Sequence, residues 1–252
     1  MKLESIFQYL NSYLLVGGHP DYPNAVNGLQ VEGPKEVSHV AVAVDASEAA
    51  IAEAVARGAD LLIVHHGLFW DGLEPLVGRH FRKVRALIEG KVALYSCHLP
   101  LDSHPEVGNC ILLAKALGLE IEGRFGEYQG ANLGWWGSKE GGVTGAALAA
   151  ELELVLEGPV RLIQREPGVI ENVGVLTGSG GSVIKEAVDR GLDALVTGEA
   201  GHQSYLEATE LGVSVFLGGH YATETFGVKA LGEHLGERFG LSWEFLQQPT
   251  GF

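Results

Sequence analysis

Side chains that bind metal ions follow three apolar runs of the chain. His65 and His66 follow DLLIV, His98 and Asp102 follow VALYS, and His220 and Glu224 follow VSVFL. A set that combines imidazole nitrogens with carboxylate oxygens suits Zn, Fe, Mn, Ni or Co better than Ca or Mg. The pattern therefore predicts a site for divalent transition metals.

Spacing within the pairs leaves the number of ions open. Neighbouring residues of a strand point to opposite faces, so His65 and His66 reach one ion only if the strand has already broken, as Gly67 suggests. Otherwise each imidazole reaches a different ion. His220 and Glu224 are four residues apart at a predicted helix start, which places them on one helical face. A His-His pair by itself is often a surface pair, but three pairs at equivalent strand ends favour ligands.

An internal repeat positions these residues. The segment 37–64 predicts a strand, a helix over Ser47–Arg57 that stops at Gly58, and a second strand. The same plan returns around residues 172–197, and a shift of 133 positions aligns the two segments without a gap, with ten identical positions between Val40 and Val64. A third apolar run follows in each copy and ends in the same His-x3-acid pattern, at His98 and at His220.

Parallel β-α-β units carry their ligand-binding groups at the carboxyl ends of the strands. We therefore predict an α/β fold with two similar α/β lobes built from the repeat and the metal site between them at the strand carboxyl ends. The lobes are expected to cover residues 1–124 and 125–252, with a soft boundary that also admits one compact unit.

The motifs resemble one known family over most of the chain. The matching segments are VNGLQVEG (26–33), DLLIVHHGLFW (60–70), YSCHLPLD (95–102), LVTGEAGHQ (195–203) and GGHYATETFG (218–227). Their order and spacing are similar to those of the Nif-three-like family, also labelled GTP cyclohydrolase I type-two homologues and dinuclear metal centre proteins. The resemblance implies two divalent ions per chain, and it implies these ligands: His65, His66, Asp102, His220 and Glu224.

The resemblance also implies an assembly. Members of the family form a toroidal homohexamer whose metal sites face the central cavity. Some carry an additional domain between the lobes, and the roughly forty residues available here are too few for it. The chain is therefore similar to the short form.

Several other residues are candidates for supporting roles. His98 either completes a coordination sphere or, as we favour, holds Asp102 in place. Glu199 and His202 are candidate catalytic acids or bases, although Glu199 suits a helix cap nearly as well. The turn TGSGGS places Gly178, Ser179, Gly180 and Gly181 before a helix, where backbone N–H groups can bind phosphate, but a simple tight turn is the better interpretation.

Composition restricts the classes of function. The 252 residues carry a formal charge of −15, which opposes nucleic acid because phosphate binding depends on Lys and Arg. No apolar run approaches the roughly 20 residues of a membrane span, and the N-terminus is typical of an amphipathic helix. Two cysteines give no disulfide framework. We expect a soluble cytoplasmic protein without a signal peptide that binds neither membranes nor nucleic acid.

These residues favour a metal-dependent hydrolase acting on a small molecule. Two ions can activate a water molecule for attack on a phosphoester or on a purine-ring carbon. The family label points to GTP ring opening, but nothing derived from the residues recognises guanine. A non-catalytic hexameric ring that binds a partner or metabolite, or a metal-handling protein, would use the same ligands without turnover.

Overall fold

The structure, a computed structural model, describes residues 1–70, 72, 74–163 and 168–252. Its strands are β1 (Gly28–Val31), β2 (His39–Asp45), β3 (Leu61–His66), β4 (Ala93–Ser96), β5 (Glu120–Tyr128), β6 (Ala131–Thr144), β7 (Arg161–Ile163), β8 (Val169–Val175), β9 (Ala194–Thr197), β10 (Ser214–Leu217) and β11 (Ser242–Phe245). Its α-helices are α1 (Leu3–Tyr13), α2 (Glu48–Ala56), α3 (Gly78–Gly90), α4 (Leu99–Ser103), α5 (Asn109–Ala116), α6 (Gly145–Leu156), α7 (Ile184–Asp189), α8 (His202–Leu211), α9 (His220–Thr223) and α10 (Thr225–Phe239). Within these residues, no helix combines the length and apolar character that crossing a membrane requires.

The predicted α/β fold is confirmed, and it contains two sheets. One has the order β1-β4-β3-β2-β11, and the other has the order β5-β6-β8-β9-β10-β7. Strands β2, β3 and β4 are parallel neighbours in the first sheet, and β8, β9 and β10 are parallel neighbours in the second. Each sheet therefore presents the carboxyl ends of three parallel strands at one edge, which is where the candidate ligands follow in sequence.

The two compact units differ from the predicted contiguous lobes. One unit contains Met1–Leu101 and Gly227–Gln248, and the other contains Asp102–Phe226 and Pro249–Phe252. The reason is β11, which pairs in parallel with β2 and so returns the end of the chain to the first sheet. A boundary drawn by chain order alone assigns β11 to the second lobe, although it belongs to the first sheet.

Local sequence explains the β2-α2-β3 unit. The Ser47 hydroxyl accepts a hydrogen bond from the Ala50 N–H at 3.0 Å and so caps α2. Gly58 follows the helix with φ of +70°, a conformation in which glycine avoids the clash of a Cβ atom. Because β2, β3 and β4 have neighbours on both sides, their residues are buried and almost continuously apolar, as parallel strands require.

Each sheet has its own hydrophobic core. In the first unit, Leu62, Val64 and Leu94 of the strands pack with Ile51 of α2 and Leu87 of α3. In the second, the core contains Val173, Val175 and Val196 from the strands, Leu113 from α5, Leu148 and Leu152 from α6, and Phe216 from β10. These cores hold the parallel strands, and with them the positions at which the strands end.

One identity of the repeat has the same structural role in both copies. The Asp60 carboxylate accepts hydrogen bonds from the backbone N–H groups of Ser38 and His39, at 2.8 and 3.1 Å. The Asp193 carboxylate accepts from the equivalent N–H groups of residues 171 and 172, at 2.9 and 2.8 Å. Each aspartate thus fixes the strand that precedes it in its own sheet.

Candidate metal centre

Three imidazoles meet at the carboxyl edge of the first sheet. His65 and His66 are the last residues of β3, and His98 follows β4. Their ligand atoms all lie within 4.8 Å of one another, although no break separates the two histidines of β3. His65 and His98 are buried and His66 is half-buried, so the cluster lies largely away from bulk water.

Each of these imidazoles is oriented through Nδ1 by an oxygen atom. His65 Nδ1 lies 3.0 Å from the Cys97 carbonyl oxygen, which can only accept, so the ring donates. His66 Nδ1 lies 2.9 Å from Asp45 Oδ1, and His98 Nδ1 lies 2.7 Å from Asp21 Oδ1. Donation from Nδ1 leaves the lone pair on Nε2, which is the tautomer that metal-bound histidines adopt.

Asp21 is itself fixed by several donors. Its carboxylate receives Asn27 Nδ2 at 2.8 Å and the Leu99 N–H at 3.0 Å, beside the His98 ring. Burial alone raises the pKa of Asp21, but the hydrogen bonds from His98 and Asn27 outweigh burial and lower that pKa below its ordinary value. Asp21 is therefore ionised and attracts the Nδ1 proton of His98.

Asp102 lies in α4, in the second unit, and is buried. Its Oδ1 accepts hydrogen bonds from Asn109 Nδ2 at 2.8 Å and from Thr177 Oγ1 at 3.0 Å. Both donors are neutral side chains, and together they fix the orientation of the carboxylate. Carboxylate oxygens held in this way are suitable ligands for divalent transition-metal ions.

His220 and Glu224 form a second contact in the same unit. His220 Nε2 lies 3.2 Å from Glu224 Oε1, and His220 Nδ1 lies 3.1 Å from Glu199 Oε1. Burial lowers the pKa of His220, but hydrogen bonds and charge from Glu224 and Glu199 dominate and raise it to about 9. An ion bound at His220 Nε2 would replace this proton, since a ligating imidazole must be neutral.

Gly178 contacts the Glu224 carboxylate closely. It has φ of +66°, and a Cβ atom placed there would collide with Glu224 Oε1 and lie 3.4 Å from His220 Nε2. Its neighbour Thr177 is the donor to Asp102. The turn after β8 thus donates a hydrogen bond to Asp102 and leaves room for the Glu224 carboxylate.

The predicted phosphate turn is hydrogen-bonded within the protein. The Gly178 N–H donates to Thr223 Oγ1 at 3.1 Å, and the Gly180 N–H donates to Thr197 Oγ1 at 2.9 Å. Gly181 begins a 3-10 turn. Phosphate binding by Gly178, Ser179, Gly180 and Gly181 stays a prediction, and these contacts favour the alternative of a tight turn.

The two predicted catalytic residues have different surroundings. Glu199 hydrogen-bonds to His220, as Asp45 does to His66. His202 is the exposed first residue of α8 and belongs to none of the clusters of potential metal ligands among the described residues. The catalytic roles of both residues stay predictions, and the geometry favours Glu199.

Sequence reasoning missed the residues that orient the ligands. Asp45 had a readable signal because it ends β2, at the same edge of the sheet as His66. Asp21 and Asn109 had none, since both follow turns whose geometry the residue pattern does not specify.

Comparison with known proteins gives a consistent family. Residues 1–250 match the model of Duf34/NIF3 (NGG1p interacting factor 3). Proteins named GTP cyclohydrolase 1 type 2 homolog from Halobacterium salinarum and Pyrococcus abyssi are each 44% identical, with all of both chains covered. That of Deinococcus radiodurans is 41% identical over 98% of this chain and 94% of its own.

Solved structures agree over the same length. A protein described as ybgI, of unknown function, aligns with a TM-score of 0.93 and 37% identity over all of both chains. TTHA1606 from Thermus thermophilus gives 0.88 and 39%, again over both whole chains. Reduced HcgD from Methanocaldococcus jannaschii gives 0.85 and 26%, over 98% of each chain.

Proposed function

The chain belongs to the Duf34/NIF3 family, and on that premise we propose that it is a metal-dependent hydrolase with a centre of two divalent ions. The proposed ligands are His65, His66, Asp102, His220 and Glu224. The observation that carries the proposal is the orientation of His65 and His66, each of which donates its Nδ1 proton to an oxygen atom and keeps Nε2 for a metal ion.

Neither unit alone supplies enough donors for two ions. Each transition-metal ion requires four or more coordinating atoms. One unit offers three imidazoles, and the other offers two carboxylates and one imidazole, so neither set is large enough for two ions. We therefore propose that the two sets share the ions. His98 is kept outside the ligand set, as an oriented donor beside it.

The chemistry expected is hydrolysis of a small molecule. When bound, the ions would lower the pKa of a water molecule and polarise the bond under attack. Glu199 is the proposed acid-base group because its carboxylate is part-exposed and already shares a hydrogen bond with His220. The names of the relatives suggest a GTP cyclohydrolase-like reaction, and a phosphoesterase-like reaction uses the same parts.

Elemental analysis of protein purified without chelators tests the proposal. We expect about two transition-metal equivalents per chain, and loss of metal in His65→Ala and Glu224→Ala. His39→Ala is the matched control, because His39 contacts Ser242 and Glu244 at the start of its strand and should leave metal content unchanged. Metal-free wild-type protein that takes up no Zn, Fe, Mn, Ni or Co on addition would refute the centre.

Catalysis needs a separate test, because a metal-handling protein would pass the first one. Glu199→Gln should abolish hydrolysis of nucleotides and phosphoesters while the ions remain bound. Undiminished turnover in this variant would remove Glu199 from the mechanism. The homohexamer implied by the family resemblance stays a prediction, which light scattering can test.

A further inference from the structure

A cavity adjoins the candidate ligand His66 within the first unit. Its volume is about 290 Å³, and its wall includes His66, Trp70 and the α2 cap Ser47. Small-molecule sites in proteins begin at roughly this size, near 300 Å³. A molecule in this cavity would therefore lie directly beside the proposed metal centre.

His80 of α3 is a buried polar group in the wall of this cavity. It is 8% exposed, and its ring packs edge to face on Phe69, with centroids 5.7 Å apart. Among the residues that the structure describes, none forms a hydrogen bond with the His80 ring. Because His80 lines the cavity, its ring can donate a hydrogen bond to a ligand bound there.

Cationic side chains occupy the same wall. Arg79 and Lys83 both line the cavity, and their spacing of four residues places them on one face of α3. They lie in the first two turns of the helix, where the positive end of the helix dipole disfavours cations. The first turn contains no acidic residue, and no side chain caps it. This placement is unfavourable for helix stability but suits an anion.

The other charged side chains near the cavity are compatible with a bound anion. Arg82, on the same helix, is paired with Glu48 at 2.6 Å. Asp45 lines the cavity but accepts the His66 Nδ1 hydrogen bond, and Glu74 is exposed. The wall therefore carries two cations, Arg79 and Lys83, beside two carboxylates, whereas the whole chain has 17 basic and 32 acidic residues.

We infer that this cavity binds the phosphate group of a small phosphorylated substrate, with His80, Arg79 and Lys83 as the donors. Phosphate oxygens accept strong charge-assisted hydrogen bonds from all three side-chain types. The inference rests on the proposed function, because it makes His66 and its ions the neighbours of the bond that is cleaved. It narrows the substrate to a phosphorylated molecule and adds a binding subsite whose donors are separate from the proposed metal ligands.

Calorimetric titration with inorganic phosphate tests the subsite in chelator-treated, metal-free protein. We expect the wild type to bind phosphate, and Arg79→Gln and Lys83→Gln to weaken binding on the order of tenfold each. These two side chains are exposed or half-buried, so the variants should fold even if His80→Leu does not. Arg85→Gln is the matched control, because Arg85 lies on the same helix but is not part of the cavity wall.

The outcomes separate the subsite from the metal centre. Phosphate binding that persists in His66→Ala and falls in Arg79→Gln supports the subsite. Binding that requires added metal and is equal in Arg79→Gln, Lys83→Gln and the wild type would assign the anion to the ions alone and overturn the inference. Absence of phosphate binding in every form would overturn it as well, whereas the metal centre stands or falls by elemental analysis.

Discussion

Replacing Thr177 by valine would remove one hydrogen bond from a proposed metal ligand with little change of shape. Thr177 Oγ1 donates to Asp102 Oδ1 at 3.0 Å, and both residues are buried. A hydrogen bond to a charged group contributes about 1.5–3 kcal/mol. Because this bond exists with and without the ion, only the part that strengthens on ligation affects affinity. We therefore expect metal affinity to fall about tenfold, the lower limit for residues that orient ligands.

The assay is competition between the protein and a chromogenic chelator, with the free energy of unfolding of the metal-free protein measured in parallel. Thr177→Ser is the control because it keeps the hydroxyl donor. Valine should lower both metal affinity and metal-free stability, whereas serine should lower affinity much less. Equal affinity in Thr177→Val and the wild type would refute the argument that the turn after β8 orients Asp102.

Three further perturbations follow from the structure. Gly178→Ala should lower metal content, because a Cβ atom would displace the Glu224 carboxylate; elemental analysis of the folded variant measures this. Asp45→Ala should weaken metal binding by roughly 10- to 100-fold through loss of the acceptor that orients His66, measured by the same competition. Asp60→Asn should destabilise the protein by about 1 kcal/mol or less at neutral pH, because the amide keeps one acceptor oxygen and water partly screens the half-buried carboxylate. Burial raises the pKa of Asp60, but hydrogen bonds from Ser38 and His39 prevail and lower it. Its contribution is thus present above the ordinary Asp pKa and lost as the pH falls through the lowered value, so the difference in unfolding free energy should shrink in acid.

Each of these perturbations has a discriminating comparison. Gly191 also has a positive φ, +76°, but a Cβ atom there would meet nothing within 4 Å. Gly191→Ala therefore carries the backbone penalty alone, and equal metal loss in both glycine variants would contradict the role of Gly178. Unchanged metal affinity in Asp45→Ala would contradict the role of Asp45 in orienting His66. A difference between Asp60→Asn and wild type that stays constant from neutral to acidic pH would contradict the Asp60 assignment.

Much of the fold was predictable because hydrophobic periodicity and helix stops are local signals. The runs predicted around residues 37–44 and 60–64 are β2 and β3, and Gly58 and Gly191 end helices as predicted. The clustering of His65 and His66 with His98 was also accessible, since parallel strands end at a common edge.

The orienting groups and the unit limits were less accessible. Asp21 reaches His98 across 77 positions of sequence, and no periodic pattern encodes a contact made by a loop. The pairing of β11 with β2 is likewise a long-range contact, whereas the predicted boundary followed the order of the chain. In both cases the missing information is a contact between residues that are distant in sequence.

The position of β11 has a consequence for synthesis on the ribosome. Strand β2 pairs with β3 on one side and with β11 on the other, so its second edge is unpaired until β11 has been synthesised. The apolar residues of β2 include Val40, Val42 and Val44. Since β11 leaves the ribosome about 145 residues after β4, synthesis at 5–20 residues per second leaves this edge open for roughly 7 to 30 s. An apolar strand edge open for that time can pair with other nascent chains. The β2 edge of the first sheet can therefore be completed only when nearly the whole chain has been synthesised.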